Sequence, residues 1–345
     1  MRLIRFLFLS FLFHLSSVNA EDVQFFPLQN HSGKYNHLVF EDDIHKYKIK
    51  YTKWDAKISN GNIIIYNHGL QSHRAWFNAS AEYLSILGYT VYAFDRIGSG
   101  ESSDGVSIDW REDEEGNLSQ HYIKKKGNIE TWKLFTETLD RMVALAAHEN
   151  EGEKINILAN SFGSNISTAY ITEYKPNHLS KAIFMAPAFF SKLPLPFSIE
   201  ELITSKVGTY FDTVIPSVDG DNGAGMFTSD PFYFYAIKND KYSIRQITRE
   251  FYFEIQSLNT FNQRFIDDNQ FLQDLPRLYM LVQDDVMMDN EKTLSYITTL
   301  GGHSLTKIYN EGLGGFHYLT FTPSMQTALL DIHSFIMEDQ VSGAF

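Results

Sequence analysis

One serine stands where a strand turns sharply into a helix. The run Ile157-Leu158-Ala159-Asn160-Ser161-Phe162-Gly163 is apolar, then reads small-x-Ser-x-Gly, and a helical pattern follows. Such a turn is so tight that the residues two before and two after the serine must be small. It exposes the hydroxyl at a helix N-terminus, the arrangement called a nucleophile elbow. A serine that merely caps a helix is the plainer alternative. A second signal lies upstream, where an apolar strand pattern over residues 63–66 ends in Asn67-His68-Gly69-Leu70. The glycine lets the following amide turn toward a substrate oxygen. Leu70 and Phe162 are therefore the candidate N–H donors of an oxyanion hole.

A serine nucleophile needs a base and an acid behind it, and on this kind of elbow they follow in the order Asp or Glu, then His. A strand pattern at 278–282 runs into Gln283-Asp284-Asp285-Val286, and either aspartate can reach the active face. A later one at 305–309 runs into Gly312-Leu313-Gly314-Gly315-Phe316-His317. A histidine on a glycine-rich loop at a strand end can reach the serine, whereas His303 precedes that strand and sits at the wrong end of the sheet. The candidate set is Ser161, His317 and one of the two aspartates. The Gly-rich turn from Asp95 to Ser102 lacks both the G-x-x-x-x-G-K-[S/T] and the full G-x-G-x-x-G pattern. It reads as shaping the floor of the site rather than holding a nucleotide. Asp219, Asp221 and Asp230 hint at a calcium loop, but Ala224 stands where the turn needs Gly and Gly223 where a ligand is needed. No metal and no cofactor are expected.

These residues need a scaffold, and the hydropathy pattern supplies one. Continuous apolar runs at 63–66, 90–94, 155–158, 182–185, 278–282 and 305–309 suit parallel strands covered on both faces. Amphipathic segments of helical length, such as 129–148 and 164–174, lie between several of them. The alternation predicts an α/β fold with a doubly wound, mostly parallel sheet. Residues 37–54 alternate instead and predict an antiparallel hairpin at the sheet edge. Over 188–274 the pattern stops, and aromatic residues crowd in: Phe189, Phe190, Phe227, Phe251 and Tyr252 among them. We read an inserted, mainly helical cap there. Two charge runs, 111–115 and 124–126, read as solvated loop.

Composition narrows the chemistry. The 345 residues include no cysteine, which removes disulfides, thiolate nucleophiles and zinc–cysteine sites. Twenty-nine basic against 42 acidic residues give a net charge of −13, a poor match to nucleic acid. Residues 1–20 carry Arg2 and Arg5, then a short apolar stretch, then Val18-Asn19-Ala20, and read as a cleaved signal peptide. Export without cysteine suits a periplasmic or secreted bacterial protein. The sequence thus divides into a signal peptide (1–20), a first core part (21–187), the cap (188–274) and a second core part (275–345). Asn165 begins one of several N-x-Ser sequons, but in the first turn of a buried helix it is expected to be silent.

Several stretches together resemble the lysophospholipase and monoacylglycerol lipase branch of the α/β-hydrolase fold. His68-Gly69-Leu70-Gln71-Ser72-His73 meets the family pattern His-Gly-x-x-x-His. Asp95, Gly98, Gly100 and Ser102 meet Asp-x-x-Gly-x-Gly-x-Ser, and Ala186-Pro187 matches the end of the next strand. The Gly-rich approach to His317 fits as well, and alignment of residues 285–289 favours Asp285 over Asp284. The likeness covers roughly 60–190 and 275–335. It implies a Ser161–His317–Asp285 triad that cleaves carboxylic esters of lipid-like substrates through an acyl-serine. The aromatic cap would hold the acyl chain and could meet a membrane or micelle surface. Rival expectations are an aminopeptidase, with Glu200, Glu201 and Glu254 to hold the amine, an acyltransferase, and a non-catalytic lipid-binding module.

Overall fold

The computed structural model describes residues 31–41, 45–195, 197–213, 223–266, 269–310 and 315–344. The signal-peptide reading, Asp219, Asp221 and the glycines at 312 and 314 lie outside them.

The strands in chain order are β1 (Lys34–Glu41), β2 (Lys46–Trp54), β3 (Asn62–Asn67), β4 (Thr90–Phe94), β5 (Gly105–Glu112), β6 (Leu118–Lys125), β7 (Lys154–Asn160), β8 (Leu179–Met185), β9 (Tyr210–Asp212), β10 (Gln246–Thr248), β11 (Arg277–Val282) and β12 (Ser304–Tyr309). The α-helices are α1 (Asn78–Ile86), α2 (Lys133–Glu149), α3 (Phe162–Tyr174), α4 (Ile199–Thr204), α5 (Pro231–Asn239), α6 (Arg249–Arg264), α7 (Gln270–Asp274), α8 (Asn290–Leu300) and α9 (Met325–Glu338).

One eight-stranded sheet runs in the order β1-β2-β4-β3-β7-β8-β11-β12. The β1–β2 and β2–β4 pairs are antiparallel and every other pair is parallel. This is the α/β architecture expected from the sequence, including the edge hairpin. The apolar runs are continuous because each central strand is covered twice. Ile63 and Ile65 of β3 face a core built with α2, α3 and α8, while Ile64 and Tyr66 face a second one built with α1 and α9. All four are fully buried, and each contributes on the order of 1.5–3 kcal/mol of apolar burial.

Between β8 and β11 the chain leaves the sheet. It forms α4 to α7 and the short β9–β10 ribbon, whose α6 packs on α3. A third apolar cluster joins this segment to the loops beyond the sheet: Phe227, Ala236 and Ile237 pack with Trp76, Met287, Met288 and Tyr318. Among the described residues no helix is long and apolar enough to cross a membrane.

One region differs from the sequence reading. The charge runs at 111–115 and 124–126 belong to a regular hairpin, β5 with β6, in eight-residue antiparallel register. On β5 Val106, Ile108 and Trp110 alternate with Ser107, Asp109 and Arg111, whereas β6 carries no such alternation and is mostly exposed. Trp110 and Tyr122 are exposed on it. Arg111, Glu112, Lys124 and Lys125 stand on its strands, while Asp113 to Glu115 lie in its turn and Lys126 just after it, as the loop reading had them.

Candidate active site

Ser161 ends β7 and starts α3 with φ 52° and ψ −121°. A non-glycine residue at positive φ is strained by about 1–3 kcal/mol, which the flanking bonds must offset. Ser161 N–H donates to Met185 O at 2.9 Å, and Ser161 O accepts from Ser164 N–H at 2.9 Å and Ala188 N–H at 3.2 Å. The small residues have separate causes. A Cβ on Gly163 would sit 2.1 Å from Asn67 O, so α3 could not lie against β3. Ala159 is fully buried in β7, and Ser164 Oγ donates back across the turn to its carbonyl at 3.3 Å. Asn165, the sequon residue, is buried: its amide donates to Ala188 O at 2.9 Å and to Asn259 at 2.7 Å.

The fold brings His317 to the serine across 156 residues, with Nε2 2.8 Å from Ser161 Oγ. His317 Nδ1 lies 2.8 Å from Asp285 Oδ2. The carboxylate can only accept there, so Nδ1 carries the proton and Nε2 is left to accept from the serine hydroxyl. The other oxygen, Asp285 Oδ1, accepts from the Met287 and Met288 amides at 2.8 and 3.1 Å. His317 and Asp285 are 0 % and 1 % exposed. The loops that carry them are knit together, since Val286 N–H donates to Gly315 O at 3.0 Å. Tyr318, the next residue, shares a buried 2.7 Å hydroxyl contact with Tyr66 at the end of β3. Burial pushes both phenols above their ordinary value. Asp284, left open by the residues alone, is exposed in a left-handed turn and takes no part. His303 lies before β12, where its carbonyl accepts from Arg277 N–H, far along the strand from the site end.

Leu70 and Phe162 flank the serine. Gly69 is favoured by space rather than by an unusual φ: a Cβ there would lie tightly, 3.2 Å from Ser161 Cβ and 3.2 Å from Asn160 Nδ2. The loop thus passes directly over Ser161. Phe162 is the first residue of α3, where an amide has no partner within the helix. His68 is fully buried; burial first, and the nearby Arg96 second, hold it well below its usual pKa, so it is neutral. His68 Nδ1 lies 2.8 Å from Gly69 O, and Nε2 accepts from Arg96 N–H at 3.2 Å. Asp95 holds the Arg74 side chain and accepts from the Arg74 and Glu101 amides at 2.8 Å each, tying the Gly-rich turn to the loop after Leu70.

A model of the family described as "Serine aminopeptidase, S33" matches residues 59–323. The chain belongs to that family. This S33 member is accordingly a serine hydrolase of the α/β-hydrolase fold. Its fold is similar to that of a soluble variant of monoglyceride lipase from Saccharomyces cerevisiae, with TM-score 0.68, 18% identity, and 91% of this chain and 99% of that one covered. It is also similar to a monoacylglycerol lipase from Paleococcus ferrophilus (TM-score 0.63, 15% identity, 85% and 99% covered). A highly thermostable carboxyl esterase from Bacillus coagulans is a further likeness (TM-score 0.60, 16% identity, 88% and 97% covered).

The residue pattern alone did not single out the other buried histidine pair. His73 Nε2 lies 3.0 Å from Asp240 Oδ2, and Trp76 Nε1 donates to the same oxygen at 2.8 Å. Burial opposes a charge on His73, but the field and hydrogen bond of Asp240 outweigh it and raise its pKa. The partners are 167 residues apart, so only the fold reveals them.

Proposed function

We propose that this S33 hydrolase cleaves carboxylic esters of lipid-like substrates through an acyl-serine. The hydrogen-bond chain from Ser161 Oγ through His317 to Asp285 is the observation that carries the reading. His317 Nε2 takes the serine proton as Oγ attacks the ester carbonyl. The Leu70 and Phe162 amides meet the developing oxyanion. The C–O bond then breaks, the alcohol leaves with the proton from His317, and acyl-Ser161 remains. Water, deprotonated by His317, attacks it and releases the acid. Asp285 keeps the imidazole in one tautomer and stabilises its cationic form.

The lipid preference rests on the aromatic segment between β8 and β11. Phe227 lies 6.2 Å from the His317 ring, centroid to centroid, and apolar cover of this kind favours an acyl chain at about 25 cal/mol per Å² buried. The neighbours named as monoacylglycerol lipases and an esterase support the same choice. Export belongs to the proposal too, on the strength of Arg2, Arg5 and the apolar stretch behind them. Cell fractionation with N-terminal sequencing tests it: protein outside the cytoplasm that starts near Glu21 supports export with cleavage, and protein confined to the cytoplasm refutes it.

The family's description favours a second reading, cleavage of an N-terminal residue from a peptide. That chemistry needs carboxylates gathered to hold an amine. Glu201 is engaged in the capping box of Ser198 on α4, and Glu254 accepts from Trp132 N–H at 2.8 Å on α6. The deciding experiment sets the mature protein against a lysophospholipid, a monoacylglycerol, a short ester and an aminoacyl amide, with Ser161→Ala alongside. Ser161-dependent release of fatty acid from the long-chain esters is the expected result. Faster release from the amide than from every ester would establish the peptidase instead.

A further inference from the structure

Arg96 is fully buried, yet no carboxylate among the described residues pairs with it. Asp95, its neighbour in sequence, is turned to Arg74. The Arg96 guanidinium is spent on three successive carbonyls of one loop. Nη1 donates to His68 O, and Nη2 donates to Gly69 O at 3.0 Å and to Leu70 O at 3.4 Å. Nε has no hydrogen-bond partner among the described residues. Burying a cation is costly, and carbonyl oxygens are weaker compensation than a carboxylate. Such a residue is poor filler, but it does fix where those three oxygens point.

That direction matters because of the peptide plane. In a trans peptide the N–H points opposite to the C=O, and Gly69 O shares its plane with Leu70 N–H. Gly69 O is held twice, by Arg96 Nη2 and by His68 Nδ1 at 2.8 Å. Pinning this oxygen on the Arg96 side turns the Leu70 N–H to the opposite side, where the loop passes over Ser161. The same guanidinium lies over the ring of Phe162, 5.2 Å from its centroid. One side chain therefore holds the Leu70 peptide plane and packs on the side chain of the residue that carries the second amide.

We propose that Arg96 is a positioning residue that fixes the oxyanion hole in its working orientation before substrate arrives. This rests on the ester-hydrolase reading above and adds a residue outside the hydrogen-bond chain of Ser161. A lysine cannot replace it, since one ammonium lacks the planar fork that spans neighbouring carbonyls.

The test uses Arg96→Lys and Arg96→Met in the full mature chain, with Ser161→Ala in parallel. Sites are counted by running a fluorophosphonate label to completion. Per counted site, kcat and KM on a short ester are measured, and so is the Ki of a trifluoromethyl ketone, whose bound oxygen mimics the oxyanion. The expected loss is roughly 10- to 1,000-fold in kcat with KM changed by less than about threefold, and Ki rising by the same factor as kcat falls. Wild-type kcat per site in the folded Arg96→Lys protein would overturn the proposal. So would a kcat loss with unchanged Ki, or a loss in both variants that only tracks fewer folded sites. An active Ser161→Ala protein would instead overturn the hydrolase reading itself, which keeps the two failures apart.

Discussion

Two buried histidine–aspartate pairs make nearly the same bond in this molecule, 2.8 Å for His317 with Asp285 and 3.0 Å for His73 with Asp240. What stands beyond the histidine separates them. His317 presents its second nitrogen to Ser161 Oγ, on a strained turn at the end of the sheet. The second nitrogen of His73 accepts from the Ala75 amide at 3.4 Å, and its aspartate also holds the Trp76 indole and the Tyr242 amide. Close by, Ser243 Oγ and Ile244 N–H both donate to Gln71 O at 3.0 Å. In the proposed mechanism the first pair directs a proton. The second clamps the segment between β8 and β11 onto the loop that carries Leu70. A histidine–carboxylate pair is therefore not by itself a mark of catalysis.

The contrast gives graded expectations. Ser161→Ala should remove turnover by about a million-fold, read as product release per folded molecule, with the melting temperature kept. Asp285→Asn should cost about ten-thousand-fold in kcat, because an amide donor can stabilise the wrong imidazole tautomer. Gly69→Ala should cost roughly 100-fold in kcat, since the added methyl crowds Ser161 and shifts the Leu70 amide. Asp240→Asn should leave kcat within a few-fold of wild type while lowering stability by about 3–5 kcal/mol in denaturant titration. A collapse of kcat in that variant as deep as in Asp285→Asn would erase the distinction between the pairs.

Acidity sharpens it further. Burial works against the Asp240 carboxylate, but the charge and hydrogen bond of His73 win and lower its pKa, as Asp240 raises that of His73. The raised histidine contributes stability fully below its unfolded value of 6.5 and loses it as pH climbs through its folded value. The lowered aspartate contributes fully above 3.8 and loses it as pH falls through its folded value. The melting-temperature gap between wild type and Asp240→Asn should be widest between 3.8 and 6.5 and narrow above it. A gap that grows with alkalinity would contradict the clamp.

Much of this was legible before the fold. Parallel strands buried on both faces have to be apolar throughout, and the elbow has to be small on both sides of its serine. Both constraints act within a few residues, so both leave a local pattern. The β5–β6 hairpin left only half a pattern: Val106, Ile108 and Trp110 alternate with polar residues on β5, but the mostly exposed β6 needs no apolar face and shows none. Arg96 and Asp240 were hidden for another reason. The partners of Arg96 lie 26 to 28 residues away and those of Asp240 on the far side of the β8–β11 excursion, so no local spacing encodes them. The choice between Asp284 and Asp285 needed the resemblance at the sequence level; the backbone gives the physical cause, a left-handed turn at 284 that leaves only the next carboxylate facing inward.

The amides of His317 and Tyr318 donate to the carbonyls of Met226 and Phe227, at 2.9 and 3.2 Å. The excursion that would recognise the acyl chain is thus also part of the mount for His317, the proposed general base. In an evolving lineage the two tasks are not separable: a change that reshapes this stretch for a new substrate moves the imidazole with it. Grafting the excursion from a relative should therefore transfer reactivity along with selectivity, and chimaeras cut between 226 and 231 should fare worse than those that carry the whole segment between β8 and β11.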